Sequence, residues 1–242
     1  MYFNVVYLFK KLVLTFNLYR MNKKMKILCI SDTHGKHTLI KLQDADMIIH
    51  AGDCTNQRDS ILNGPELEAF FKWFSSLPYK YKIYIPGNHD TSFPKNYVQI
   101  PENIIVLSHR EVEIEGVKIF GSPYTPEFGV GWAYNVDRSK IQRYWEQIPK
   151  DIDIIVTHGP AKGIMDLTFT KEGNLFQCGC KSLLNTIKDI KPKFHIFGHI
   201  HDESGIYNAG EFNVPKIGTT FVNASVVNLR MEIVNHGVLI EL

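Results

Sequence analysis

The sequence predicts an α/β protein whose parallel strands carry polar side chains at their carboxyl ends. Short apolar runs such as Ile27-Leu28-Cys29-Ile30 suit strands that are buried on both faces, and five of these runs lead into Asp, Asn or His. Amphipathic segments with helical spacing lie between several of the runs. Because the carboxyl ends of parallel strands form one edge of an open sheet, residues distant in sequence are expected to meet there.

Length and composition indicate one domain, which we place at residues 25–242. A chain of 242 residues with 44% hydrophobic content can bury one large core without disulfides. The formal net charge is +2 and the basic residues are dispersed, so no nucleic-acid groove or lipid-binding surface is predicted. The four cysteines show neither a disulfide framework nor zinc-ribbon spacing, which predicts reduced thiols in a cytoplasmic protein.

The first 24 residues are interpreted as a separate N-terminal extension. They are apolar and aromatic but are interrupted by Lys10 and Lys11, and neither apolar run reaches the ~18 residues of a membrane span. Three interpretations remain open: a signal or anchor, an additional strand or helix of the domain, and a translated leader before a true start at Met21 or Met25. We expect a dispensable extension and no membrane span.

The first half of the chain predicts three strands whose ends carry candidate ligands. These strands span 27–30, 46–50 and 82–85, and they lead into Asp32-Thr33-His34, Gly52-Asp53 and Gly87-Asn88-His89-Asp90. A short helix is expected over 38–43. A longer helix is expected to begin at Pro65, since proline is favoured at the first helical position, and to bury four apolar side chains: Leu67, Phe70, Phe71 and Phe74.

A hairpin over 111–120, preceded by a strand at 103–107, divides the chain into two strand-helix halves. In the second half, Asp137 is expected to cap a helix that Pro149 ends, and another helix is expected over 181–190. Strands over 152–156 and 193–197 lead into Thr157-His158 and Gly198-His199-Ile200-His201. The remaining strands are expected at 215–222, 226–232 and 238–242.

The loop 121–132 and the remaining histidines are open to more than one interpretation. The loop is rich in glycine, proline and aromatic residues, so it either walls a binding cleft or packs as a rigid surface loop on its own aromatics. His195 is expected in the core, and His50 either in the core or supporting the ligands. Three histidines are expected at the surface: His37, His109 and His236.

The strand ends together supply seven oxygen and nitrogen donors and no thiolate: Asp32, His34, Asp53, Asn88, His158, His199 and His201. Seven donors are too many for one tetrahedral ion, but they suit two ions that share a bridging carboxylate and a bridging hydroxide. Asp53 is the candidate bridge. The mixture of carboxylate, amide and imidazole favours Mn, Fe or Zn.

A pair of divalent ions is suited to the hydrolysis of phosphate esters. It lowers the pKa of a bound water toward ~7, orients that hydroxide toward phosphorus and neutralises the phosphoryl oxygens. The leaving oxygen then needs a proton. His89 follows Asn88 directly, so it is the candidate general acid, and Asp90 is the candidate to orient its imidazole.

The motifs resemble a known family. Asp32-x-His34, Gly52-Asp53, Gly87-Asn88-His89-Asp90, His158 and Gly198-His199-x-His201 look like the signature of calcineurin-like metallophosphoesterases. The flanking residues, including Ser31-Asp32-Thr33-His34 and Thr157-His158-Gly159-Pro160, resemble the metallophosphoesterase-domain-containing family, which is close to the class III cyclic-nucleotide phosphodiesterases. The likeness covers roughly residues 25 to 242.

The resemblance implies a four-layer α/β/β/α sandwich with a dinuclear metal site at the carboxyl ends of the strands. It also implies two ligand sets, with His89 acting on the leaving group: Asp32, His34, Asp53 and His201 for one ion, and Asp53, Asn88, His158 and His199 for the other. The oligomeric state is left open, with a dimer among the alternatives.

Two classes of function remain in view. The first is a phosphodiesterase that acts on a small phosphodiester, with a 3′,5′- or 2′,3′-cyclic nucleotide suggested by family analogy. The second is a nucleotide sensor or scaffold that keeps the fold with little catalysis, against which the intact ligand set argues. A nuclease would be expected to show a basic groove, and a protein phosphatase additional arginines near the metals. Neither feature is evident in the sequence.

Overall fold

Two β-sheets lie face to face, and helices cover their outer sides. The computed structural model describes residues 24–170, 172–203 and 205–242. Its strands in chain order are β1 (Lys26–Ile30), β2 (Met47–His50), β3 (Tyr81–Tyr84), β4 (Ile105–Val106), β5 (Arg110–Ile114), β6 (Val117–Ser122), β7 (Thr125–Pro126), β8 (Asn135–Val136), β9 (Ile154–Thr157), β10 (Leu167–Phe169), β11 (Leu175–Gln177), β12 (Phe194–Phe197), β13 (Gly210–Val214), β14 (Thr219–Asn223) and β15 (Val238–Glu241).

The two sheets have related topologies. The first has the order β15-β1-β2-β3-β4, and the second has the order β13-β14-β12-β9-β6-β5. In the first sheet β1 to β4 are parallel and β15 is antiparallel to β1. In the second sheet the four central strands are parallel and both edge strands are antiparallel to their neighbours. The carboxyl ends of the parallel strands therefore form one edge in each sheet.

Alternation of side chains along the strands accounts for the layers. In β1, Ile27 and Cys29 face the core between the two sheets, whereas Leu28 and Ile30 face the core beneath the long helix α1 (Ser60–Ser76). In β9, Ile154 faces the core between the sheets, and Ile155 packs with the helices α2 (Gln142–Trp145) and α3 (Lys181–Ile190). Period-two alternation with both faces covered confirms the predicted α/β/β/α order.

Helix α1 begins before the predicted position. The Asp59 carboxylate caps it by accepting hydrogen bonds from the backbone N–H groups of Ile61 and Leu62, at 2.9 and 3.1 Å. Pro65 therefore lies inside the helix, where it removes one backbone hydrogen bond. The predicted start was wrong because the side-chain cap at Asp59 satisfies the first N–H groups. The four apolar positions predicted to face the sheet are buried.

Two other predicted helices are shorter in the structure. The segment 38–43 contains only a 3₁₀ turn at His37–Leu39. The helix expected after Asp137 is limited to α2. The Asp137 carboxylate accepts a hydrogen bond from the N–H of Ser139 at 2.7 Å, in the turn that precedes this helix. The helix predicted over 181–190 is confirmed with the same bounds.

The strand predictions were mostly confirmed. The hairpin over 111–120 is present as β5 and β6. The strand expected at 226–232 is wrong: the Asn228 side chain accepts from the N–H groups of Arg230 and Glu232, at 2.9 and 3.0 Å, and turns the chain. The strand expected at 215–222 is β14, preceded by a turn and by the unpredicted strand β13. The short pairs β7–β8 and β10–β11 were also not predicted.

The predictions for the N-terminal segment lie outside the described residues, apart from Lys24. Its amine lies 3.7 Å from the Glu241 carboxylate. That residues 1–24 are a dispensable extension, and that the domain spans 25–242, therefore stay predictions. Among the described residues, no helix combines the length and apolar character needed to cross a bilayer.

Candidate metal centre

All seven predicted ligands lie just beyond the carboxyl ends of parallel strands, and their side chains meet where the two sheets face each other. The first sheet supplies Asp32, His34, Asp53 and Asn88, and the second supplies His158, His199 and His201. Three groups have candidate ligand atoms within 4.8 Å of one another: Asp32, His34 and His201; His34, Asp53 and His89; and Asp53, His158 and His199.

The distances divide the ligands into two neighbouring sets. In the first, His201 Nε2 lies 3.4 Å from His34 Nε2 and 3.4 Å from Asp32 Oδ1. In the second, His158 Nε2 lies 2.9 Å from Asn88 Oδ1 and 3.3 Å from Asp53 Oδ2. Asp53 belongs to groups on both sides, and this is the arrangement expected of a bridging carboxylate.

The hydrogen bonds of two imidazoles fix which nitrogen is free to bind a cation. His34 Nδ1 lies 3.0 Å from the carbonyl oxygen of Thr55, and His158 Nδ1 lies 2.8 Å from that of Ala51. A carbonyl oxygen only accepts, so each Nδ1 carries the proton and each Nε2 of the neutral ring offers a lone pair. Those lone pairs face other donor atoms of the site. Such a convergence of lone pairs favours a bound cation or an additional proton, and the residues present fit a divalent metal.

The electrostatics lead to the same conclusion. Burial alone would lower the pKa of His158, but the Asp53 carboxylate raises it to about 9. Burial alone would raise the pKa of Asp53, but the positive charge of His158 holds it well below its usual range. Burial lowers the pKa of His34 to about 4, so that ring is neutral. When no metal is bound, a proton on His158 partly offsets the negative charge of the buried carboxylates. Metal binding at such a site displaces protons.

The backbone approaches the ligands closely at three glycines. A Cβ added to Gly52 would lie 2.5 Å from His158 Nδ1, one on Gly87 would lie 2.2 Å from Asp53 Oδ1, and one on Gly198 would lie 2.2 Å from Asp32 Oδ2. Any side chain at these positions would displace a ligand. This explains why glycine precedes the ligand in Gly52-Asp53, Gly87-Asn88 and Gly198-His199.

Four ligands adopt the left-handed backbone region, which is uncommon for residues other than glycine. The φ angles are 57° for Asp32, 42° for His34, 56° for Asp53 and 69° for His199. Such backbone strain concentrates at functional sites, where surrounding contacts maintain it. The turn conformation therefore aims these side chains into the space between the sheets.

Asp90 is fully buried and holds the ligand turns in place. Its Oδ2 accepts from the N–H groups of Asp53 and Gly87, at 2.9 and 2.7 Å. Its Oδ1 accepts from the N–H and hydroxyl of Thr55, at 3.1 and 2.8 Å, and from the Cys54 thiol at 3.2 Å. Burial and the nearby Asp53 raise its pKa. Both carboxylate oxygens are thus engaged with these turns rather than with His89, so the geometry does not support the expectation that Asp90 orients the imidazole.

His89 lies beside the first ligand set. Its ring centroid is 4.6 Å from that of His34, in an edge-to-face arrangement, and its backbone N–H donates to Asp53 Oδ1 at 2.7 Å. Its Nδ1 lies 3.3 Å from the carbonyl oxygen of Asn56, so Nδ1 donates and Nε2 is the other available atom. The carbonyl of Asn56 therefore holds the ring that the sequence assigned to Asp90.

Comparison with known proteins identifies the family of this chain. The family model of calcineurin-like phosphoesterases matches residues 25–203. The chain belongs to the calcineurin-like phosphoesterase family. It is 35% identical over 246 aligned positions to metallophosphoesterase domain-containing protein 1 of Homo sapiens and to its counterpart in Mus musculus, covering 90% of this chain and 71% of each relative. The resemblance stated from the motifs is confirmed.

A solved structure shows the same fold. Phosphopantetheinyl hydrolase from Mycobacterium tuberculosis superposes with a TM-score of 0.58 at 16% sequence identity, covering 86% of this chain and 91% of that one. At this identity the likeness concerns the fold alone. Membership of the calcineurin-like phosphoesterase family makes the protein a metal-dependent hydrolase of phosphoric esters.

The loop 121–132 walls the phosphoesterase site, which decides between the two open interpretations. The Trp132 ring lies 4.5 Å from that of His89, and the Phe128 ring lies 5.0 Å from that of His199. Phe128 keeps 48% of its surface exposed. The glycine, proline and aromatic content of the segment indicated a loop. The sequence did not show that its aromatic rings contact His89, the candidate general acid, and His199, a candidate ligand.

Several supporting residues were missed or misplaced. Asn63 of α1 is fully buried and ties the turns after β2 and β3, and its only sequence signal is a polar residue near an apolar helix face. His37, expected at the surface, is buried against Phe70 and Trp73. His195 lies in the core as predicted.

The buried His50 has a supporting contact. Its Nε2 lies 3.1 Å from the hydroxyl of Thr33, the residue between the ligands Asp32 and His34. An equivalent contact occurs in the second sheet, where His195 Nε2 lies 2.8 Å from the hydroxyl of Thr157, the residue before the ligand His158. Each sheet thus contains a buried histidine that fixes a threonine beside a ligand.

Proposed function

We propose that this phosphoesterase hydrolyses small phosphodiesters and that seven side chains hold two divalent ions. In this proposal the first ion is held by Asp32, His34, Asp53 and His201. The second is held by Asp53, Asn88, His158 and His199. Mn, Fe and Zn suit this mixture of oxygen and imidazole donors.

The observation that carries the proposal is the position of Asp53 between the two ligand sets. Its Oδ2 lies 3.3 Å from His158 Nε2 on one side, and a carboxylate oxygen groups with His34 and His89 on the other. A shared carboxylate is the feature of two-metal hydrolytic sites, whose ions lie roughly 3.5–4 Å apart. Imidazoles from both sheets have nitrogen atoms within 4.8 Å of this carboxylate: those of His34, His89, His158 and His199.

The residues around the ligands have separate tasks in this proposal. Two divalent ions held there would supply a nucleophilic hydroxide at neutral pH and neutralise the charge on the phosphoryl oxygens. His89 donates a proton from Nε2 to the leaving oxygen, while the carbonyl of Asn56 keeps Nδ1 protonated. Asp90 and Asn63 hold the turns that carry Asp53 and His89.

The finer assignment concerns the substrate. A phosphodiester with a compact ester group is proposed, because the rim of the site carries aromatic side chains, including the half-exposed Phe128. A cyclic nucleotide is the specific candidate, and it rests on the resemblance to class III phosphodiesterases. The four cysteines are free, which fits the proposed cytoplasmic location.

The proposal is tested with metal-free protein reconstituted with Mn²⁺. We would measure turnover of bis-p-nitrophenyl phosphate, p-nitrophenyl phosphate and cyclic AMP. Asp53→Ala and His89→Ala are the test variants, and Asp151→Ala and His236→Ala are the matched controls at positions away from the site. We expect metal-dependent diester hydrolysis that Asp53→Ala abolishes, that His89→Ala reduces by about 10²-fold, and that both controls retain.

Two results would overturn the proposal in different ways. Turnover of the monoester alone would make the protein a phosphomonoesterase. Two bound metals without turnover of any ester would move it to the sensor or scaffold class. Diester turnover without cyclic AMP hydrolysis would keep the phosphodiesterase and remove the cyclic nucleotide.

A further inference from the structure

Two stacked side chains, Trp132 and Arg58, cover the outer side of His89. The Trp132 ring centroid lies 4.5 Å from the His89 ring at an interplanar angle of 48°. The Arg58 guanidinium lies 4.1 Å from the Trp132 ring centroid, and its Nη2 donates to the carbonyl of Val130 at 2.8 Å. Arg58 therefore holds the loop that carries Trp132 against the imidazole.

We infer that Trp132, held by Arg58, is a positioning residue that fixes the His89 imidazole for proton transfer to the leaving group. This inference rests on the proposed phosphodiesterase function. Nothing in the family model or in the names of the relatives assigns a role to either residue. Trp132 touches His89 and acts through it.

The backbone of His89 is already fixed, so the freedom that remains is that of its side chain. Its N–H donates to Asp53 Oδ1 at 2.7 Å, and its carbonyl accepts from the N–H of Thr91 at 2.7 Å and from Asn63 Nδ2 at 2.9 Å. The imidazole is held by one longer bond, 3.3 Å to the carbonyl of Asn56. A single hydrogen bond leaves the ring free to tilt about that bond.

The Trp132 ring supplies a second contact, which restricts the tilt of the His89 imidazole that the single hydrogen bond allows. With His34 against the ring at 4.6 Å and Trp132 at 4.5 Å, the imidazole is confined by two ring contacts and one carbonyl. A catalytic side chain must be held to within a fraction of an ångström, because a displacement of about 1 Å can lower the rate by about 10²-fold. The stack meets this requirement for a partly exposed histidine.

The same chain segment anchors both contacts. Asn56, whose carbonyl accepts from the imidazole, and Arg58, which covers Trp132, lie in the segment that follows β2. The Arg58 guanidinium forms a cation–π contact with the Trp132 indole, and the hydrogen bond to the carbonyl of Val130 adds to it. The segment after β2 therefore positions His89 in two ways: directly, through the carbonyl of Asn56, and indirectly, through the contact of Arg58 with Trp132.

Dependence on the leaving group provides the first test. Diphenyl phosphate has a more basic leaving group than bis-p-nitrophenyl phosphate, so its hydrolysis depends more on a general acid. We expect Trp132→Ala to lower kcat on diphenyl phosphate by about 10-fold and to lower kcat on bis-p-nitrophenyl phosphate by a clearly smaller factor. Trp132→Phe, which keeps a planar ring, should restore most of the loss, and Tyr97→Ala is the control for loss of an exposed aromatic ring.

A double variant shows whether Trp132 acts through His89. In His89→Ala protein there is no imidazole to position, so adding Trp132→Ala should cause no further loss on diphenyl phosphate. Losses that multiply in the double variant, or a Trp132→Ala loss that is equal on both substrates, would overturn the inference.

Chemical modification tests the inference without turnover. Diethyl pyrocarbonate acylates accessible imidazoles, and peptide mass spectrometry resolves the rate at each histidine. We expect Trp132→Ala to raise the rate at His89 several-fold in the Mn²⁺-loaded protein, Trp132→Phe to restore it, and the rate at His236 to stay constant. An unchanged rate at His89 would contradict the inference. If the wild type hydrolyses neither diester, the proposed function fails, and this measurement alone decides the role of Trp132.

Discussion

The two sheets contribute different chemistry to the candidate metal centre. Every oxygen donor among the predicted ligands comes from the first sheet, which supplies Asp32, Asp53 and Asn88 beside the imidazole of His34. The second sheet supplies imidazoles alone, at the ends of β9 and β12. The negative charge that attracts cations therefore comes from one half of the molecule, and neutral nitrogen donors complete the site from the other.

The supporting contacts differ in a related way. In the first sheet, Asp90 and Asn63 are buried side chains that tie the turns after β2 and β3. In the second sheet, backbone bonds join the turns: His158 N–H donates to the carbonyl of Ser122 at 3.3 Å, and Gly198 N–H donates to that of His158 at 2.9 Å. Buried carboxylates need many N–H donors to offset their desolvation, which explains why the charged half has the denser polar network.

The largest effect should follow from removing charge from the first sheet rather than an imidazole from the second. Asp53→Asn removes the carboxylate shared by both ligand sets, so we expect loss of both ions and turnover at background. His199→Gln removes a ligand of one set, so we expect one retained ion and reduced turnover. Metal content by elemental analysis, measured beside kcat, checks this. Equal metal loss in the two variants would remove the distinction between the sheets.

Removal of the metals should destabilise the protein through the same carboxylates. A ligand at 100 times its dissociation constant stabilises the folded state by about 2.7 kcal/mol, so chelation should lower the melting temperature of the wild type. Because Asp53→Asn protein is expected to bind no metal, a chelator should not change its melting temperature. A wild type that melts at the same temperature with and without Mn²⁺ would contradict binding at this site.

Two buried asparagines give a matched comparison of the supporting networks. Asn63 donates to the Thr55 hydroxyl and to the carbonyls of Gln57 and His89, and accepts from Ser92. Asn223, at the end of β14, makes one donor and one acceptor contact. Each buried polar group left unpaired costs about 1–3 kcal/mol, so we expect Asn63→Ala to reduce the free energy of unfolding by about 3 kcal/mol and Asn223→Ala by about 1–2 kcal/mol.

Urea unfolding measures both asparagine variants. A larger loss of unfolding free energy in Asn223→Ala than in Asn63→Ala would contradict the prediction that the polar network of the first sheet contributes more to stability.

The smallest expected effect concerns a feature that the two sheets share. Burial lowers the pKa of both His50 and His195 to about 3, whereas an unfolded histidine titrates near ~6.5. The unfolded state therefore binds more protons below that pH. The associated stability is complete above ~6.5 and is lost as the pH falls toward 3, by up to about 1.4 kcal/mol per pH unit for each group.

Replacing either histidine tests this similarity. His50→Gln and His195→Gln should each flatten the decrease in the free energy of unfolding between pH 7 and pH 5, and by similar amounts. If the pH dependence of the free energy of unfolding changed clearly more in one variant than in the other, the two sheets would differ in their buried strand histidines as well as in their turns.

The sequence predicted well which side chains meet between the sheets, because each candidate ligand belongs to a local motif. Asp32, Asp53 and His158 follow apolar runs directly, so parallel pairing alone places them at one edge. Residues whose role depends on tertiary contacts were harder to predict. Asp90 was assigned to its neighbour His89, but it accepts from Asp53, which is 37 positions away. Chain adjacency did not reveal that contact.

The fold was predicted to the level of its layers, and boundaries failed where side chains compete with the backbone. The start of α1 depends on the Asp59 cap, and the Asn228 side chain accepts two backbone N–H bonds where a strand was expected. The position of Trp132 depends on a loop conformation that its composition does not specify. Local chemistry therefore predicted which side chains meet at the site, whereas the contacts that hold them required the structure.

The most direct test of two-metal binding is a crystal structure of the Mn²⁺-loaded protein with anomalous diffraction at the manganese edge. We expect two anomalous peaks roughly 3.5–4 Å apart, one bounded by Asp32, His34 and His201, the other by Asn88, His158 and His199, with Asp53 touching both. A single peak, or two peaks that do not share Asp53, would contradict this expectation.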